Sequence, residues 1–156
     1  MRENIAVGAH LRLPGRREAL ERAEIVAQQV GLAPQLDKPA SDLTVGGRKR
    51  LELARALATQ PRLLLLDEVL AGLNPGEIAD MIPVVQGIAA GGVTVLMIEH
   101  VMQAVMNLAQ QVWVLAQGQL IAQGTPGEVT RNERVIEAYL GHGTARRLAA
   151  AAQAAA

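Results

Sequence analysis

The chain has 156 residues, and fifteen basic against fifteen acidic side chains give it a formal charge of zero. The bulk electrostatics that draw proteins to nucleic acid or to anionic membranes are therefore absent. One Trp, one Tyr and no Phe speak against a stacking platform for bases or Pro-rich peptides, and zero Cys excludes a disulfide framework or a thiolate metal site. That length buries one sizeable core and leaves no room for a second full domain.

Four sections follow along the chain. Residues 1–60 read mainly as helix. The stretch 17–30 carries Leu20, Ala23, Ile25, Val26 and Val30 among charged residues, with Gly31 as a stop. Residues 32–42, with two prolines and two aspartates, predict irregular chain. A second helix is predicted over 46–59, with Leu51, Ala54 and Leu57 in line, and Pro61 ends it.

Residues 61–126 read as α/β. Leu63-Leu64-Leu65-Leu66 stops at Asp67-Glu68, and Val93-Thr94-Val95-Leu96-Met97-Ile98 stops at Glu99-His100. Such continuous apolar runs predict parallel strands covered on both faces. Between them, 77–90 predicts a helix that Pro83 bends or delays, and 101–108 predicts another. Residues 112–115 and 119–122 flank Ala116-Gln117-Gly118, a hairpin signal. Residues 127–141 contain a short helix candidate, 129–140, closed by Gly141. The Ala-rich tail, 142–156, is expected to be frayed or disordered. The N-terminus lacks the apolar run of a secretory signal, and no stretch approaches the roughly twenty apolar residues that cross a bilayer.

Three places could carry chemistry. Asp67 and Glu68 follow a strand at its carboxyl end, where α/β proteins bind ligands. A carboxylate at Asp67 suits Mg²⁺, largely through its water shell, and Glu68 could deprotonate a water. The same pair also serves as a plain polar strand end. His100 ends the second strand and shares that edge if both strands lie in one sheet; alone it is an ordinary surface histidine. Leu43-Thr44-Val45-Gly46-Gly47 precedes a helix whose free amides and dipole suit an anion. Thr44 could cap that helix or donate its hydroxyl to a phosphate oxygen. The loop is equally readable as a simple helix junction.

Together these segments resemble the nucleotide-binding subunits of ATP-binding cassette (ABC) transporters. Leu43-Thr44-Val45-Gly46-Gly47 is similar to the family's signature loop, although Gly47 stands where Gln or Glu is usual and Thr44 replaces serine. Residues 63–67 resemble the Walker B strand, Glu68 falls on the general-base glutamate, and His100 falls on the switch histidine. Ala71-Gly72-Leu73-Asn74-Pro75 resembles the D-loop, with Asn74 at a nucleotide-facing position. The match runs from residue 2 to residue 141. Arg2-Glu3-Asn4-Ile5-Ala6-Val7-Gly8, Ile98-Glu99-His100 and Val135-Ile136-Glu137-Ala138-Tyr139-Leu140-Gly141 resemble the branched-chain amino acid importers. Urea and short-chain amide importers share much of this pattern.

The resemblance implies a cofactor set of ATP and Mg²⁺, with Asp67 on the metal, Glu68 and His100 catalytic, and Thr44, Val45, Gly46 and Gly47 on the nucleotide of a facing subunit. It implies partners too: membrane permease subunits, a second nucleotide-binding subunit and, indirectly, an external substrate-binding protein, with no nucleic acid. The implied place is the cytoplasmic face of the membrane, peripheral. No Gly-x-x-x-x-Gly-Lys-Ser/Thr frame occurs, and the only lysines are Lys38 and Lys49. The chain is therefore read as an N-terminally truncated ABC ATPase: a partial P-loop NTPase core with a mostly parallel sheet, a helical subdomain and the central phosphate-loop strand missing. A non-catalytic fragment docking on an intact subunit or permease, and a non-functional remnant, are the competing readings.

Overall fold

The computed structural model describes residues 1–140. The predicted tail and its Gly141 boundary lie outside the described residues. The chain divides into two compact units, Met1–Val101 and a second beginning at Met102.

The first unit opens with three helices, α1 (Arg2–Ala9), α2 (Arg16–Gln29) and α3 (Val45–Ala58). Ala19, Ala23 and Ala27 recur every fourth residue of α2 and are fully buried, which lets neighbouring helix backbones approach closely. Gly8 makes the tightest approach: a β-carbon there would overlap the carbonyl oxygen of Arg55 in α3. Residues 32–42 hold two single-turn 3₁₀ helices, Ala33–Gln35 and Ala40–Asp42. Gly31 reaches φ +74°, the left-handed geometry that lets the chain leave α2.

Strand β1 (Leu63–Asp67) pairs in parallel with β2 (Thr94–Ile98), Leu65 opposite Leu96 and Asp67 opposite Ile98. Helix α4 (Pro75–Ala90) connects them. It runs continuously through Pro83, and it begins two residues before the predicted start because Asn74 and Glu77 form a capping box. Ile78, Met81, Ile82, Val85 and Ile88 recur at helical spacing and are buried.

The strands are covered on one face, not two. Leu64 and Leu66 are buried, whereas Leu63, Leu65, Leu96 and Ile98 are all more than half exposed, Leu65 by 67%. Four successive leucines carry no alternation, so the run itself does not say which face turns inward.

The second unit contains α5 (Met102–Leu108), β3 (Val112–Ala116), β4 (Gln119–Gly124), α6 (Pro126–Val129) and α7 (Glu133–Leu140). β3 and β4 form the predicted hairpin, antiparallel, with Gln117 and Gly118 both at positive φ and an irregularity between Val114 and Leu115. The described strands thus form one parallel and one antiparallel pair, not the mostly parallel sheet expected. The single helix expected over 129–140 is divided in two. Thr125 and Glu128 form a capping box that starts α6 early, and α7 begins afresh after Asn132, whose side chain accepts from the Arg134 amide.

Candidate functional site

Parallel pairing carries the carboxyl ends of β1 and β2 to one edge. The Glu68 amide extends the ladder by donating to the Ile98 carbonyl at 2.9 Å. Glu68 itself adopts φ +46°, a left-handed conformation that costs a non-glycine residue free energy. That twist turns the chain out of the strand, and the Ala71 amide closes the turn onto the Glu68 carbonyl at 3.0 Å. Val69 and Leu70, both buried, anchor its far side.

The Glu68 carboxylate then stands 3.6 Å from His100 Nδ1, with both side chains more than half exposed. An exposed pair of this kind adds little to stability. Its interest is chemical: a carboxylate and an imidazole share one strand edge, open to solvent. Asp67 is exposed beside them. Among the described residues no cluster of three or more metal-ligating side chains occurs. A lone carboxylate nevertheless fits Mg²⁺, which keeps several waters and commonly takes one or two protein carboxylates together with substrate phosphates.

The loop at the start of α3 lies in the same unit. Thr44 is its N-cap, and its Oγ1 accepts from the Gly47 amide at 3.1 Å. Thr44 and Val45 are exposed, Gly47 is half-buried and Gly46 is buried. A cleft of about 160 Å³ is lined by Thr44, Gly46, Gly47, Leu73 and Glu77, among others. Asn74 borders this region in chain order, and its side chain is engaged at the α4 N-terminus: Oδ1 accepts from the Glu77 amide while Glu77 Oε2 accepts from the Asn74 amide, both at 3.0 Å. A larger depression of about 440 Å³, bounded by Val7, Gly8, Glu52, Arg55, Ala56 and Thr59, shares none of these residues.

Two residues of this region carried no functional reading in the sequence. Glu77 lies against Gly46, and Asn74-x-x-Glu77 is a legible capping-box pattern. Glu99 bonds the Leu70 amide, 29 residues away, and nothing local announces that partner.

Comparison with known proteins extends these observations. The ABC transporter family model matches residues 1–71, and the model for branched-chain amino acid ATP-binding cassette transporters matches residues 119–145. The high-affinity branched-chain amino acid transport ATP-binding protein LivG of Salmonella typhimurium is 42% identical over 125 residues, covering 80% of this chain and 49% of LivG. The crystal structure of an ABC transporter's ATP-binding cassette in its ADP conformation superposes with a TM-score of 0.72 at 33% identity, over 79% of this chain and 50% of that one. CbiO1 of Clostridium perfringens, part of the ABC transporter complex CbiONQ, superposes at 0.74 with 27% identity, over 88% and 58%.

In fold and in sequence the chain is similar to the ATP-binding cassette proteins of ABC transporters. Within that class, its LivG relative and the match at residues 119–145 are of the branched-chain amino acid branch. The chain spans about half the length of the curated relatives it matches.

These findings correct three expectations: the partial core with a missing central strand, the N-terminally truncated ATPase, and the docking fragment. The ABC transporter match begins at residue 1, and the solved cassettes superpose over most of the chain. Among the described residues, the buried apolar side chains of the first unit come from α1 to α4, one face of β1 and the segments that join them. No Gly-x-x-x-x-Gly-Lys-Ser/Thr frame occurs in the 156 residues, so no side chain here is assigned the grip on the β- and γ-phosphates.

Proposed function

We propose that this protein is an ATP-binding subunit of an ABC importer for branched-chain amino acids. The observation that carries the reading is the Glu68–His100 pair at adjoining carboxyl ends of parallel strands, 3.6 Å apart and open to solvent. In this reading Glu68 orients and deprotonates a water for attack on the γ-phosphate. His100 holds Glu68 in place and donates toward charge developing on the phosphate. Asp67 would hold Mg²⁺ through its water shell, and the metal would neutralise polyphosphate charge. Catalysis of this kind is positioning and electrostatic stabilisation, which suits side chains fixed at one edge.

The loop Thr44-Val45-Gly46-Gly47 would meet the ATP of a facing nucleotide-binding subunit with backbone amides and the Thr44 hydroxyl, and Asn74 would lie at that junction. Residues 1–60 would serve as the helical subdomain and 61–126 as ATPase core, with 127–141 the family's C-terminal helical segment. Partners in this reading are membrane permease subunits, a second nucleotide-binding subunit and, indirectly, a substrate-binding protein. LivG, named for branched-chain amino acid transport, supports the cargo class. No helix among the described residues is long and apolar enough to cross a membrane, which fits a peripheral subunit at the cytoplasmic face.

The test is phosphate release and leucine uptake by the transporter assembled with permease and a second subunit. Glu68→Gln keeps shape and removes the base, so phosphate release should fall by roughly 10²-fold or more. Unchanged release would overturn the reading.

A further inference from the structure

Three consecutive residues at the end of β2 each hold a different part of the turn that begins at Glu68. The Ile98 carbonyl accepts the Glu68 amide at 2.9 Å. Glu99 Oε1 accepts the Leu70 amide at 3.0 Å. His100 Nδ1 faces the Glu68 carboxylate at 3.6 Å. Side chains alternate across an extended segment, so Ile98 and His100 turn out to solvent while Glu99 turns toward the protein. The chemistry of Glu99 is unusual for that place. Its Oε2 is buried and has no hydrogen-bond partner among the described residues. Desolvating a carboxylate oxygen without a partner is costly.

What Glu99 does hold is a strained turn. Glu68 sits at φ +46°, and a non-glycine residue stays in that region only when its surroundings over-determine it. The Leu70 amide takes no part in the Ala71–Glu68 bond that closes the turn and donates to Glu99 instead. Without Glu99 that part-buried amide would lose its partner, and the turn could relax toward ordinary φ. Rotation at Glu68 would swing its carboxylate away from His100.

We propose that Glu99 is a positioning residue: by accepting the Leu70 amide it locks the left-handed turn that presents the Glu68 carboxylate to His100. The catalytic consequence rests on the reading of Glu68 as the water-activating base. The geometric claim does not.

Two readings on the purified protein test it. The first is hydrogen exchange at the Leu70 amide, which should accelerate at least about tenfold in Glu99→Ala and stay near native in Glu99→Gln, whose amide oxygen can still accept. The second is the change in the His100 ring proton shifts caused by Glu68→Gln. That change should be clear in the native background, lost in Glu99→Ala and restored in Glu99→Gln. General loosening does not move it selectively, so it separates positioning from mere stabilisation. If Glu99→Ala fails to fold, Glu99→Asp, one methylene too short to reach Leu70, must show the same two effects. A native His100 response in the folded Ala or Asp variant overturns the proposal. Phosphate release by the assembled transporter reads the functional claim separately: a lost His100 response with unchanged release would leave Glu99 as holder of the turn and overturn the role given to Glu68.

Discussion

Gly46 and Glu77 approach so closely that a β-carbon on Gly46 would stand 2.8 Å from Glu77 Oε1. The same carboxylate caps α4 through the Asn74 amide, so it cannot swing aside without breaking the capping box. A Gly→Ala change inside an ordinary helix stabilises by about 0.5–1 kcal/mol. Gly46→Ala is expected to destabilise instead, by about 1 kcal/mol, the usual worth of a helix cap. In a Glu77→Ala background the same change should be neutral or stabilising. Urea denaturation of the four proteins in this cycle gives the answer, and a stabilised Gly46→Ala single variant would refute it.

Asn74→Ala removes the Oδ1 acceptor for the Glu77 amide and should cost about 1 kcal/mol. Asn74→Asp retains the acceptor and adds negative charge at a helix N-terminus, so it should recover most of that loss. Thermal unfolding monitored by circular dichroism distinguishes the two variants. Equal losses in both would show that the side-chain acceptor is not what matters.

Gly8→Ala places a methyl group against the Arg55 carbonyl oxygen, and backbone gives way less readily than a side-chain tip. Overpacking typically costs about 1–3 kcal/mol, and a clash between two helix backbones belongs at the upper end. Urea midpoints of Gly8→Ala and of Gly87→Ala, where a β-carbon meets nothing within 4 Å, should move in opposite directions. A Gly8→Ala protein as stable as the native one would contradict the close crossing of α1 and α3.

Glu128 is held below the ordinary glutamate range, first by the backbone amide of Thr125 and then by its hydroxyl. The folded carboxyl is therefore the stronger acid, and folding favours its ionised form. The stabilising contribution is complete above the unfolded glutamate value and disappears as pH falls through the depressed folded value. A carboxyl NMR titration should place Glu128 below the ordinary glutamate range. Thr125→Ala should raise its midpoint part of the way back, since the backbone amide remains. A midpoint at or above the ordinary range would refute the capping assignment.

Much of the local structure is legible in the sequence because its causes are local. Thr44 before α3, Asn74-x-x-Glu77, Thr125-x-x-Glu128 and Gln117-Gly118 all act through hydrogen bonds or dihedral preferences within three residues, so the chain order already contains them. Asp67 and Glu68 are likewise joined by the chain itself at the end of an apolar run. Tertiary structure decided the rest. His100 meets Glu68, and Glu99 meets Leu70, only because β2 pairs beside β1 in one particular register. A slip of one residue would turn His100 inward and Glu99 out. The face of β1 that is buried was likewise undetermined, because Leu63, Leu64, Leu65 and Leu66 are chemically alike. What packs against a strand, rather than the strand's own pattern, selected Leu64 and Leu66 for the interior.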